Sequence, residues 1–359
     1  MTETAGYFAP VLIYVFIFIL NAVLPGRNVT GYVTKPGSAE KLKYHLNGIW
    51  VFFTVVAVWW WLGYKHIISW DWLYTHRWQS LTGAIIFGLL FSIAIVLPNK
   101  PVKKSFLADL YSGRLQNAQL WNGRIDAKMW LYLAGAVMLE LNALSFCAYH
   151  YEAYGVNSSY DICLCTGLLS FFLVDYLTFE EVHLYTYDLF AERVGFKLGW
   201  GCIAFYPFFY AIPLWSTVDL PCANSSLAWI LFAAFVFFAG WSLSRGANLQ
   251  KYYFKKEPAK PFLGIIPETI SDEKHALLVN GFWGMSRHIN YLGEILMATG
   301  LVLSTGYPQL VWPWLYPLYY VVLLFPRQKD DDKRCALKYG ALWNRYRERV
   351  PYKIIPFIY

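Results

Sequence analysis

Charge is what this sequence has least of. Only 15% of its 359 residues are Asp, Glu, Lys or Arg, against roughly a quarter in an average soluble domain. That shortage excludes a disordered chain, a charged coiled coil and an ordinary soluble globule. Cysteine is also sparse, at six residues. Cys163-x-Cys165 has no second Cys or His pair at ligand spacing, so no metal site is expected. The sequence has no Gly-rich phosphate loop of the Rossmann or P-loop kind. A Gly-x-Ser-x-Gly nucleophile, an internal repeat and a low-complexity tract are missing too.

What is abundant is apolar surface. Hydrophobic residues make up 57% of the chain and aromatics 20%, with 17 Trp and 28 Tyr, the rings that favour membrane–water interfaces. Mean hydropathy is +0.36. A helix crosses a bilayer with about 20 apolar residues. Segments of that kind cover 7–24, 46–63, 80–97, 129–148, 160–179, 199–217, 227–244, 291–306 and 309–326. The expected fold is all-α, a polytopic transmembrane helical bundle of about nine or ten spans, a tenth falling in 265–290. The first run has no basic region before it and no small-residue cleavage pattern, so it reads as a retained span and not a signal peptide.

The basic residues supply an orientation. Loops 25–45, 98–128, 180–198, 245–290 and the tail from 327 carry 4, 6, 2, 7 and 9 Lys and Arg, 28 of the chain's 30. Lys65 and Arg77 are left for the other side. Under the positive-inside rule the N-terminus lies outside and the C-terminus in the cytoplasm. The net charge of +7 then belongs to loops near lipid headgroups or to an anionic ligand. It is not a nucleic-acid signal.

Polar groups at membrane depth are costly and mark function. Four clusters qualify. Asp175-Tyr176 with Glu180, Glu181, His183, Tyr187 and Asp188 places Tyr176, Glu180, His183 and Tyr187 on one stripe if the segment is helical. That stripe serves either proton transfer or helix–helix hydrogen bonding. Lys251 and Lys255, four apart just beyond a span, suit a phosphate or ordinary flanking charge. Leu278 to Glu294 packs Trp283, Arg287, His288, Asn290 and Tyr291 into one short stretch, with Arg for a phosphate and rings for stacking. In the tail, Arg327, Asp331, Cys335 and Tyr339 recur every four residues, and Trp343 continues the row.

These residues carry a resemblance. Arg287-His288-x-Asn290-Tyr291-x-Gly293-acid, then Arg327-x3-Asp331-x3-Cys335-x2-Lys338-Tyr339-Gly340-x2-Trp343-x2-Tyr346-x3-Val350-Pro351-Tyr352, closely resembles the sterol reductase family. That family includes Δ14-sterol reductases, 7-dehydrocholesterol reductases and the lamin B receptor membrane domain. Leu46-Asn47-Gly48, Trp121-x2-Arg124-Ile125-Asp126-x-Lys128, Asp175-x4-Glu180 with Leu184, Thr186 and Asp188, and Asn248-x-Gln250-Lys251 fall in the family's order. The likeness covers nearly the whole chain.

The resemblance implies one integral membrane domain over 1–359. Spans fill about 1–150, and a catalytic, cofactor-binding half follows from about 160. It implies NADPH-dependent reduction of a sterol ring double bond, Δ14 or Δ7, with sterol and membrane lipid as partners and no obligate protein partner. The cofactor pocket would lie on the cytoplasmic side of the C-terminal half. Lys251, Lys255, Leu278, Trp283, Arg287, His288, Asn290, Tyr291, Arg327, Asp331, Cys335 and Tyr339 would hold the cofactor.

An unpolarised alkene needs protonation before hydride transfer, and a carboxylic acid kept neutral in an apolar site can supply the proton. Asp331 is the expected donor, with Tyr176, Glu180 and His183 as further catalytic candidates. Departures from the family pattern are Lys255 for Arg, Glu294 for Asp, Cys202 for Asp and Asp330 for a basic residue. Three alternatives stand beside this reading: a side-chain Δ24-type reductase, an isoprenylcysteine-type membrane methyltransferase, and a sterol-binding protein without catalysis. The lamin B receptor's Tudor-like region has no counterpart here, so no chromatin role is expected. The expected location is the endoplasmic reticulum in a eukaryote or the inner membrane in a bacterium, and the short N-terminus suits a compact bacterial version.

Overall fold

A computed structural model describes residues 4–35, 37–155 and 160–359. All nine apolar segments are helical along most of their length. Among the described residues six helices are long and apolar enough to cross a membrane: Thr4–Val23, Arg77–Val96, Ala127–Tyr154, Tyr160–Thr178, Phe196–Thr217 and Leu227–Lys256. Gly48–Tyr64 and Ile289–Ser304 are apolar but shorter. The last segment becomes a Trp312–Trp314 turn and the front of the Leu315–Tyr339 helix. Residues 265–290 hold no long helix but a two-stranded ladder, Thr269–Ser271 against Ala276–Leu278, and one turn of helix at Phe282–Met285. The molecule is a multi-pass helical membrane protein. Its chain divides into two compact units, Met1–Cys222 and Ala223–Tyr359.

The N-terminal unit is built around Ala127–Tyr154. Asp126 caps this helix by accepting from the amides of Lys128 and Met129 at 3.0 and 3.2 Å. Most of its apolar stretch is buried on all sides, as expected of a helix with no strong polar face. The conspicuous basic residues at its start, Arg124 just before it and Lys128 in its first turn, bind backbone carbonyls. Arg124 donates to the carbonyls of Ala22 and Leu24 at 2.7 and 2.8 Å, tying down the end of the first span. Lys128 sends its buried ammonium to the carbonyls of Asp188, Leu189 and Glu192 at 3.3, 2.8 and 2.6 Å.

Leu46-Asn47-Gly48 has a similar explanation. Asn47 donates to the carbonyls of Asn21 and Leu24 and accepts from the Asn21 amide. It joins the end of the first helix to the start of the second. Leu46 closes a small core with Leu42, Tyr44, Leu184 and Leu189. Gly48 leaves room for the Glu180 carboxylate, which any Cβ at that position would strike. The sixth apolar segment is broken by a π-helical turn at Gly201–Phe205, followed by Pro207 and Pro213. Cys202, one of the departures, lies buried inside that turn.

In the C-terminal unit Leu227–Lys256 packs against Ile289–Ser304, backbone to backbone. A Cβ added to Gly293 would come within 2.5 Å of the Ser244 nitrogen, and one added to Gly240 within 2.5 Å of the Met297 nitrogen. Small residues that let helices touch are the usual means of association in lipid, where apolar burial between helices gains little. Glu294 reaches across this contact and accepts from Ser244 Oγ at 2.6 Å. The longer acid at this departure thus has a partner of its own.

The Leu315–Tyr339 helix ends at Gly340, whose φ is +52°. Ala341–Arg349 then turns back, so that Trp343 and Tyr346 pack with Val279 and Val350, and Cys335 and Tyr339 lie against them. The chain end docks on the segment before Ile289. Arg287 N donates to Tyr352 O at 2.9 Å, His288 N to Lys353 O at 2.8 Å, and Ser286 Oγ to Ile354 O at 2.9 Å.

Candidate active site

The C-terminal unit gathers most of the residues singled out above. Tyr291, in the first turn of Ile289–Ser304, donates its hydroxyl to Asp331 Oδ2 at 2.8 Å. Asp331 Oδ1 lies 3.9 Å from Arg334, one turn along its own helix. The His288 ring stacks on Tyr291, centroids 4.8 Å apart. Burial and then the charges of Lys251, Arg287 and Arg327 push the His288 imidazole down to about 3. It stays neutral through the physiological range, able to donate from one ring nitrogen and accept at the other. Its Nε2 is buried and has no hydrogen-bond partner among the described residues, and neither has the buried Asn290 Oδ1.

Lys251 places its ammonium over the Trp283 ring, 4.9 Å from the centroid. Trp283 is fixed by its Nε1 donating to Ala247 O at 2.8 Å. Lys255 and Lys338 lie within electrostatic reach of Lys251, so three ammonium groups share one region. Cys335 is in the same field. Burial, with the Asp331 and Asp332 carboxylates, pushes its thiol up against the opposing pull of Lys251 and Lys338. Tyr339 stacks on Trp343, and Leu278 is buried at the end of its strand. The Arg327, Asp331, Cys335, Tyr339 row therefore runs along one continuous helix, while Trp343 rejoins it from the next.

Arg287 behaves differently from a residue offered to a ligand. Only 3% exposed, it donates from Nη1 to the carbonyls of Val350 and Pro351 at 2.9 Å each. Its Nε and Nη2 face Asp332, each at 3.4 Å. The guanidinium holds the chain end in place.

Three contributors were not foreseen as site residues. Asp332 is the acid beside Arg287. Gln250 donates from Nε2 to Asn280 O at 3.3 Å and accepts from Phe282 N at 3.0 Å. It fixes the Asn280–Trp283 turn against the end of the long helix. Gly281 serves that contact: its φ is +62°, and a Cβ there would strike the Gln250 amide. The third is the run of carbonyls at 350–354. Gln250 stood in a quoted motif, but nothing in its spacing marks an amide that reads backbone.

Tyr176, Glu180 and His183 belong to the N-terminal unit and do not form one stripe. The helix stops at Thr178, Glu180–His183 is a separate turn, and Tyr187 opens another. His183 folds back, its Nε2 3.0 Å from Tyr176 O and its ring 3.9 Å from the Tyr176 ring. Glu180 turns elsewhere and accepts from Gly48 N at 3.0 Å. Burial pushes its carboxyl up to about 7, opposed by the Gly48 amide and the Arg27 charge.

A carboxyl raised in the fold contributes stability that is complete below its ordinary value of 4.5 and is lost as pH rises through the folded value. The wild type should lose on the order of 2–3 kcal/mol between pH 5 and 8 from this group. Glu180→Gln keeps the oxygen that accepts from Gly48 and should not show that loss. Thermal unfolding in detergent at the two pH values checks this; parallel pH dependence in both proteins would count against it.

The model of the ergosterol biosynthesis ERG4/ERG24 family matches residues 2–359. A Delta(14)-sterol reductase of Arabidopsis thaliana is 31% identical, over 97% of this chain and 95% of its own. One from the bacterium Methylotuvimicrobium alcaliphilum is also 31% identical, over 95% and 80%. The chicken protein named Delta(14)-sterol reductase LBR is 30% identical, over 98% of this chain and 56% of its own. With the match running through every element described above, the chain belongs to the ergosterol biosynthesis ERG4/ERG24 family.

Proposed function

We propose that this protein reduces a carbon–carbon double bond in a sterol ring, with NADPH as reductant. The observation that carries the reading is the Tyr291–Asp331 hydrogen bond of 2.8 Å, with Lys251 in the electrostatic field of Asp331 and with Lys255 and Lys338 in that of Lys251. That pair and the Lys251, Lys255, Lys338 and Trp283 side chains belong to one unit of the chain. The relatives named above are Delta(14)-sterol reductases, which favours the Δ14 bond over Δ7 and Δ24. Family membership supports a reductase over the methyltransferase alternative.

The residues present fit the cofactor. Lys251, Lys255, Lys338 and Arg327 supply positive charge for phosphates, and Trp283 and Tyr291 supply flat faces. His288 Nε2 and Asn290 Oδ1 are buried polar atoms without partners among the described residues, and such atoms need a ligand or water to offset their desolvation. When bound, NADPH supplies the hydride. Asp331 holds the proton that goes to the alkene, and Tyr291 orients the Asp331 carboxyl and can pass a proton through its hydroxyl. Trp283, Leu278 and Cys335 exclude water around these groups. Arg287 acts indirectly, by fixing the chain end that closes the unit.

The protein is proposed to work in the endoplasmic reticulum of a eukaryote or the inner membrane of a bacterium, with its C-terminus in the cytoplasm. The test is product analysis with the purified chain, NADPH and a panel of Δ14, Δ7 and Δ24 sterols. The Δ14 sterol should be reduced and the others left largely unchanged. Failure to bind NADPH at all would return the protein to the non-catalytic, sterol-binding alternative.

A further inference from the structure

Two thiols in the N-terminal unit have no part in the proposed reaction. Cys147 lies on Ala127–Tyr154 and Cys163 on Tyr160–Thr178, with their sulfurs 3.4 Å apart. Cys163 is exposed and Cys147 half-buried. The closeness follows from register. Glu140 accepts from Ser170 across the same two helices at 2.8 Å, and Cys147 and Cys163 lie seven residues on in one helix and seven back in the other. Two turns of helix return side chains to nearly the same face. The part-buried Glu140–Ser170 contact therefore holds the thiols opposite each other.

We infer that Cys147 and Cys163 form a disulfide that staples these two helices. Residues 149–159 contain no Lys or Arg, which places this end on the non-cytoplasmic side under the positive-inside rule. That is where disulfides form and persist. The sulfurs, 3.4 Å apart, must close to about 2.0 Å. The exposed Cys163 thiolate attacks one sulfur of an external disulfide and releases one thiol. Cys147 then displaces the second thiol from the mixed disulfide. Two cysteine thiols are oxidised, and the external disulfide takes up their two electrons and two protons. The bridge adds a covalent tie to the Ser170–Glu140 hydrogen bond between these two helices.

The test uses the full chain in native membranes. Thiols are blocked with N-ethylmaleimide before solubilisation, and the protein is digested without reductant and mapped by mass spectrometry. The Cys147 and Cys163 peptides should be joined and free of maleimide, in the wild type and in Cys222→Ser alike. In Cys147→Ser, Cys163 should carry maleimide. Maleimide on both Cys147 and Cys163 of the wild type would overturn the inference, and so would a link from Cys163 to Cys165 or Cys222.

Discussion

Asp331→Asn should lower kcat by about 100- to 10,000-fold, the range typical of a lost general acid, while NADPH affinity changes little. The substitution keeps the shape of the side chain and an oxygen that can accept from Tyr291, whose hydroxyl lies 2.8 Å from Asp331 Oδ2. It removes only the transferable proton. Tyr291→Phe should cost less, since it loosens the carboxyl without deleting it. His288 should contribute no limb to the pH–rate profile between pH 5 and 9, because it is held neutral down to about pH 3. Steady-state kinetics with separate cofactor titrations checks these expectations. Near-wild-type turnover in Asp331→Asn would remove Asp331 from the chemistry.

Arg287→Leu should have the largest effect on stability, a loss of about 3–5 kcal/mol, as when one partner of a buried charge pair is removed. The substitution orphans the carbonyls of Val350 and Pro351 and leaves Asp332 beside an apolar side chain. The 350–359 end should then be cut readily by protease, with cofactor binding lost as a consequence. Arg287→Lys should fall between, because a single ammonium cannot reach two carbonyls and a carboxylate from one plane. Thermal unfolding together with limited proteolysis measures both. If Arg287→Leu weakens NADPH binding while leaving stability and proteolysis at wild-type levels, the residue faces the cofactor and not the chain end.

How much of this was legible in the sequence depended on the kind of partner each residue has. The apolar segments stood out because lipid selects composition directly, and all of them are helical. The Arg327–Tyr339 row was legible because an uninterrupted helix repeats every three to four residues, and Leu315–Tyr339 is uninterrupted there. The Tyr176–Glu180–His183 stripe failed on the same ground: the chain breaks at Phe179, and a period has meaning only while the helix lasts. Arg287, Gln250, Arg124 and Lys128 bind backbone carbonyls or amides, which every sequence supplies. Their side chains announce polarity at depth but not whether a ligand or the chain itself satisfies it. Gly48 and Gly293 could be read as motif letters, yet their reason, a carboxylate in one case and a neighbouring backbone in the other, lies far off in sequence.

The central claim is that one hydrogen reaches the double bond as a hydride from NADPH and the other as a proton held at Asp331. Two parallel reactions test it on the purified chain with a Δ14 sterol. One uses NADPH deuterated at the transferable nicotinamide position in ordinary water; the other uses ordinary NADPH in heavy water. The product should carry a single deuterium in each case, on adjacent carbons. Product with both hydrogens from one source, or product formed without NADPH, would contradict the account.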